Sequence, residues 1–358
     1  MEKGSALELT AVDRAAVVRK RRYRQRAFLW SMSSVPRVGY CGRNRISSSS
    51  GVGLARKDLR AYFTNVQSCG LVWICPVCSS RLRLVRSLEV ATILSEHLSA
   101  GGSASMATFT VPHTQLQSLE LVFTAVADAW RKMTMGRPWK DLRKRYGLVH
   151  FIRATEVTHG GNGWHPHLHV AMLSDRALTD EEYSSLWQAL YGLWKAAVVS
   201  AGLGAPSMAH GVDMRPISDV DGISEYLTKL DSAAMELAMS DRKMGKGGNR
   251  SPFQILDDVI VDGDAESLVL WHEYERVTKG RRTLVFSRGL KKLYAVEEKS
   301  DDEILVEDVN GEVLAVISPA AWGRLLRIEG GPAELLNLVE AGCMGQAQEV
   351  IEQLEAEK

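Results

Sequence analysis

The stretch EVTHGGNGWHPHLHVAML, residues 156–173, leaves few folds open to this chain. After a glycine-rich turn, histidines stand at every second position, His165, His167 and His169, while Leu168, Val170 and Met172 take alternate positions within and just after the run. A period of two belongs to a β-strand, whose successive side chains point to opposite faces of the sheet. The pattern predicts a strand whose apolar side meets packed helices while its imidazoles line the open face. Asn-Gly is a preferred pair for a two-residue hairpin loop. A hairpin centred on Asn162 and Gly163 pairs this strand with GLVHFIRATEVTH (147–159) and puts Glu156 across from His169 on the same face. Two imidazoles and a carboxylate with open positions can hold a divalent ion that polarises and positions a substrate oxygen.

The flanking segments fit one sheet. Residues 80–99 read as a helix with apolar and arginine faces, 105–113 as a strand stopped by Pro112, and 118–134 as a helix. A further helix opens at a capping box of Thr179 and Glu182, HGVDMRPI (210–217) is a strand, and 219–239 is helical. The order implies an α+β fold, an antiparallel sheet with helices on one face.

Four of the five cysteines, Cys41, Cys69, Cys75 and Cys78, fall within 38 residues. The N-terminus lacks the short apolar core of a signal peptide, and no apolar run reaches the roughly 18–20 residues of a spanning helix, so a cytoplasmic protein is expected, with no membrane partner. Reduced thiols at this spacing point to a closed four-thiolate zinc site that holds structure and carries no chemistry. Cys343 is read as a small apolar residue.

Charge is divided unevenly. The formal net charge is +1, yet residues 293–358 carry 15 acidic and 4 basic side chains, which leaves the preceding body basic. The densest run, RKRRYRQR, sets Arg19, Lys20, Arg21, Arg22, Arg24 and Arg26 around Tyr23 and suits a phosphate backbone. The acidic end reads as a folded appendage, with a hairpin around Asn310 and Gly311 followed by one or two amphipathic helices.

The helix at 219–239 carries an apolar stripe through Ile223, Leu227 and Leu230, with Tyr226 and Lys229 on its flank. Three residues apart, the two are neighbours, and an ammonium beside a phenol favours the phenolate or a developing phosphate charge. Spacing alone equally allows a tyrosine that simply packs there.

Taken together, CG…CGLVWICPVC, ATFTVPH, EVTHGGNGWHPHLHV and ISEYLTKL resemble the rolling-circle replication initiator (Rep) proteins of bacterial plasmids, members of the HUH endonuclease superfamily. The resemblance spans roughly residues 41–290. It implies a ferredoxin- or RRM-like core, with His167, His169 and Glu156 as ligands of a magnesium or manganese ion and Tyr226 as nucleophile in a tyrosine–two residues–lysine pattern with Lys229. It implies nicking of one strand of a double-strand origin, a 5′-phosphotyrosine intermediate, a 3′ hydroxyl primer and rejoining at termination. The partners would be origin DNA, single-stranded at the nick, a host helicase or polymerase, and a second copy of the chain. Some relatives use a carboxylate one turn before the tyrosine to end the cycle; Gly222 stands there, with Asp219, Asp221 and Glu225 nearby. The role of His165 stays open.

The expected organisation is a basic arm (1–40), a four-cysteine zinc element and helix (41–100), an HUH endonuclease domain (101–292) and the acidic appendage (293–358). Two rivals are a zinc-containing DNA-binding regulator without catalysis and another HUH enzyme. The first leaves Glu156, the histidine face and Tyr226 without purpose. Of the second, relaxases carry the tyrosine near the N-terminus, and single-strand transposases are much shorter.

Overall fold

The computed structural model describes residues 11–58, 60–217, 249–307 and 311–357. In chain order its elements are α1 (Ala11–Met32), α2 (Pro36–Tyr40), β1 (Val52–Lys57), β2 (Arg60–Thr64), α3 (Pro76–Ser99), β3 (Ser103–Phe109), α4 (Leu119–Met135), α5 (Arg137–Tyr146), β4 (Leu148–Gly160), β5 (Gly163–Ser174), α6 (Asp180–Ser200), β6 (Val212–Ile217), α7 (Pro252–Asp262), α8 (Ala265–Thr278), β7 (Leu284–Phe286), α9 (Leu290–Leu293), α10 (Asp301–Glu307), β8 (Glu312–Ile317), α11 (Pro319–Leu325), α12 (Gly331–Glu340) and α13 (Met344–Ala356). They form two compact units, one of residues up to Leu82 with Ser300 onward, the other Arg83–Lys299. Among the described residues, no helix is long and apolar enough to cross a membrane.

The second unit is built on an antiparallel sheet of order β6-β3-β5-β4-β7. Phe109, Leu168, Val170 and Met172 point to one face and pack on Val122, Val126 and Trp130 of α4 and Leu186, Leu190 and Trp194 of α6. Helix α6 starts as its sequence predicts. The Thr179 hydroxyl accepts the Glu182 N–H at 3.2 Å, and the Glu182 carboxylate accepts the Thr179 N–H at 3.1 Å. The fold class is the expected α+β. The opposite face is shared: Ala104, Met106, Ile152, Ala154, Ala171 and Leu173 are covered by Val90, Ile93 and Leu94 of α3 and by Leu290. The end of that face bearing the histidines continues along β5 beyond Ala171.

The first unit holds a three-stranded antiparallel sheet of order β2-β1-β8. Val52, Leu54 and Phe63 on β1 and β2 pack on Trp322, Leu325, Leu335, Leu336, Val339 and Ile351 from the chain's other end. The acidic segment thus folds into a strand and helices, including the two amphipathic helices α12 and α13. The hairpin expected around Asn310 and Gly311 is corrected, because residues 301–307 are helical and β8 pairs with β1 instead. The cause is local. Ser300 and Glu303 form a reciprocal cap, with the Ser300 hydroxyl accepting the Glu303 N–H and the Glu303 carboxylate accepting the Ser300 N–H.

Candidate active site

Strands β4 and β5 form the hairpin, in a register two residues from the expected one. Gly160 pairs with Gly163, so Gly161 and Asn162 form the loop; Glu156 lies opposite His167, and Ala154 opposite His169. Of the turn residues only Gly163 is left-handed, with φ 84°, as in a tight turn followed by one such residue. A slip of two keeps every side chain on its face. Glu156, His167 and His169 therefore still share a face, as expected. That face is not open at this end: His167 is 8% exposed, His169 6% and Glu156 8%.

The three side chains converge. Glu156 Oε2 lies 3.2 Å from His167 Nε2 and 2.9 Å from His169 Nε2, and the two ring nitrogens are 3.2 Å apart. Burial pushes the Glu156 carboxyl up, but hydrogen bonds and charge from His167 and His169 outweigh it and hold it well below the usual carboxylate range. His167 Nδ1 sits 3.2 Å from the His165 carbonyl oxygen and donates to it, which leaves Nε2 with a lone pair in the neutral ring. Donor atoms then face one another around a point that only a proton or a metal cation can satisfy. Their separations match the ~2.9 Å edges of an octahedron with ~2.0–2.1 Å bonds, so the set fits one face of a divalent cation and leaves the other positions open.

Residues beyond these three shape the centre, and sequence reasoning missed two of them. Thr108 on β3 pairs with His169 across the sheet, and its hydroxyl lies 3.1 Å from His169 Nδ1, the nitrogen turned away from Glu156. Such a partner fixes a ligand's ring and tautomer. His165 does not join the donor set. Its ring stacks on His167 (centroids 4.8 Å, 30° between planes) and on His113 (4.8 Å, 13°). Burial, then the neighbouring His167 and His113 charges, pull the His165 pKa down to about 3, so the ring is neutral. The period-two pattern of β3 marks which face Thr108 occupies, but only the pairing of β3 with β5 puts it beside His169.

The four cysteines meet in the first unit. Cys41 Sγ lies 3.6 Å from Cys75 Sγ and 3.5 Å from Cys78 Sγ, and Cys69 Sγ lies 3.7 Å from Cys78 Sγ, all buried. A tetrahedron of ~2.3 Å zinc–sulfur bonds has edges of about 3.8 Å, so the cluster fits that ion closely. Burial pushes the Cys75 thiol up, while hydrogen bonds from Cys41, Cys69 and Cys75 hold Cys78 well down. More than one thiolate in this pocket calls for a cation. Cys343 is apart and half-exposed.

The remaining expected residues divide. Tyr226, Lys229, Asp219, Asp221 and Glu225 lie outside the described residues. The basic run lies within α1, and its cations are engaged inside the first unit. Arg19 binds Glu340 at 2.5 Å and Asn337 at 2.7 Å, Lys20 binds Glu334 at 3.0 Å, and Arg24 lies 3.9 Å from Glu329. Arg22 donates to Ser80, Arg26 is buried over the Tyr23 ring at 4.3 Å, and Arg21 is half-buried.

Comparison with known proteins decides the family. The profile described as "Replication protein" matches residues 61–317. The chain belongs to the Rep family of replication proteins. A relative named "Protein rep" from Streptomyces lividans is 30% identical over 332 aligned residues, covering 72% of each chain. A second "Protein rep", from Streptococcus pneumoniae serotype 2, is 21% identical over 46% of this Rep chain and 48% of its own. A "Neomycin resistance protein" of Streptomyces cyanogenus is 35% identical over 29% of this chain and 30% of its own. No solved structure matches. The matched span contains the β4–β5 hairpin and its three ligand-type residues, and this membership bears out the resemblance to plasmid replication initiators.

Proposed function

We propose that this chain starts rolling-circle replication of a plasmid by nicking one strand of its double-strand origin, with Tyr226 as nucleophile. The observation that carries the reading is the convergence of Glu156, His167 and His169 on one strand pair of a Rep-family chain. A magnesium or manganese ion held there would polarise the scissile phosphate and stabilise its charge. The residues of the chain do the rest. The Tyr226 phenol loses its proton and its oxygen attacks phosphorus; the bond to the 3′ oxygen breaks, the 5′ phosphate stays on Tyr226, and the 3′ oxygen takes up a proton to become the primer hydroxyl. Lys229, three residues on, would favour the phenolate and the charge that develops on the phosphate. Thr108 keeps His169 turned toward the centre. Tyr183 and Tyr191 sit on α6, across the sheet from the ligands, and Tyr191 is engaged with the Pro206 carbonyl, which supports Tyr226 over either.

The four-cysteine cluster would hold zinc and brace the first unit. Chemistry belongs to the endonuclease segment, within residues 101–292. A host polymerase and helicase would extend and open what the nick starts, in the cytoplasm where the plasmid resides. Contact between the α1 run and DNA has to break the Arg19–Glu340 and Lys20–Glu334 pairs. The test is incubation with supercoiled plasmid carrying its own origin and magnesium or manganese. Open circles bearing protein on a 5′ end, abolished by chelator, are expected. Supercoiled plasmid unchanged with either ion, or relaxed without attached protein, contradicts the reading.

A further inference from the structure

The metal centre does not end at its ligands. Three imidazoles are in successive ring contact, from buried His167 through His165 to half-exposed His113, in two steps of 4.8 Å. Binding a metal needs only the first of them. His113 lies in the loop after β3, and its ring is oriented by a hydrogen bond from Nδ1 to the Val111 carbonyl at 3.2 Å. The loop is held against the tip of the ligand-bearing hairpin: Gln115 donates to the Gly161 carbonyl, and Gly163 approaches so closely that a Cβ there would meet Gln115 Cα at 2.9 Å. Leu116, next along, is 97% exposed. A pinned loop thus presents a flat ring and an apolar side chain beside a centre suited to phosphate.

We infer that His113 is a stacking platform for a base of the single-stranded substrate, next to the nucleotide whose phosphate occupies the metal centre. The inference rests on the proposed nicking reading and adds a subsite to it. A half-exposed heteroaromatic ring already stacked on His165 is the kind of surface on which a nucleobase stacks, and stacking tolerates any base. Two ring steps from His167 compare with a few ~3.4 Å nucleotide rises, so one strand can reach both places. Leu116 would cover the edge of the same base. His113 acts here by binding, as a positioning residue, without exchanging protons with the substrate.

The experiment uses the full chain and single-stranded oligonucleotides from the replicon's own origin, labelled for anisotropy and carrying 2-aminopurine at successive positions. Binding is read in chelator, apart from chemistry, for the native chain, His113→Ala and His113→Phe; covalent adduct is read on the same oligonucleotides with manganese. His113→Ala should bind about fivefold or more weakly and lose the emission change at one position, while His113→Phe, which keeps a flat ring, restores both. Circular dichroism checks that this half-exposed loop substitution leaves the fold intact. If the native chain forms adduct and His113→Ala binds and reports as the native chain does, the platform is wrong and the nicking reading stands. If no adduct forms yet 2-aminopurine still responds to His113, the platform stands and the nicking reading falls. A failure of both readouts overturns both.

Discussion

Deleting the acidic segment from Ser300 onward should unfold the first unit rather than merely expose its positive charge. The apolar cluster of that unit is shared between the two ends of the chain: the deletion removes Ile317, Trp322, Leu325, Leu335, Leu336, Val339, Ile351 and Leu354 and strips Val52, Leu54 and Phe63 of their partners. At about 1.5–3 kcal/mol for each large side chain returned to water, those three alone cost roughly 5–9 kcal/mol. That rivals the ~5–15 kcal/mol that holds a typical domain. Strand β1 also loses its ladder with β8, and the Ala61 N–H and Arg19 lose the Glu340 carboxylate. By contrast Glu334→Gln, which removes only the exposed Lys20–Glu334 pair, should change stability by no more than ~1 kcal/mol. The assay is limited proteolysis with thermal melting of residues 1–299 against the whole chain. Early cuts within residues 11–64 and a surviving fragment that begins near Arg83 are expected. A deletion chain that resists protease over 11–64 as the whole chain does would refute the shared core.

Two further outcomes concern the metal sites. Thr108→Val keeps the shape of the side chain but removes the hydroxyl 3.1 Å from His169 Nδ1, and should weaken manganese binding by about 10- to 100-fold in calorimetry with little change in fold; unchanged affinity would make that contact incidental. Cys75→Ser or Cys78→Ser should lower zinc content and melting temperature together, whereas His169→Ala should keep zinc and lose plasmid nicking. Zinc loss in His169→Ala would merge the two sites into one.

Much of the second unit was legible because its signals are local. Period-two alternation marks β3, β4 and β5, the Thr179 box starts α6, and a turn-register error of two residues could not move Glu156 off the histidine face. The loop itself was misplaced because Gly-Gly-Asn-Gly offers more than one two-residue turn, and the left-handed demand falls on Gly163 rather than within the pair. What escaped the sequence was non-local. Helix α3 shares the histidine face of the sheet, β8 joins β1 across more than 250 residues, and α1 looks like a solvated arm until the acids at 334 and 340 are seen to meet it. The stack of His113 on His165 belongs to the same class, since only the folded sheet brings the loop after β3 to the tip of the β4–β5 hairpin.

The most direct test of nicking by Tyr226 is to find the residue that carries the DNA. The native chain is incubated with supercoiled origin plasmid and manganese, the DNA is digested to nucleotides, and the protein is mapped by peptide mass spectrometry. One nucleotide-bearing peptide is expected, with the phosphate on Tyr226, and none in Tyr226→Phe, which should still bind the origin. A phosphotyrosine at Tyr183 or Tyr191, or undiminished adduct in Tyr226→Phe, would contradict it.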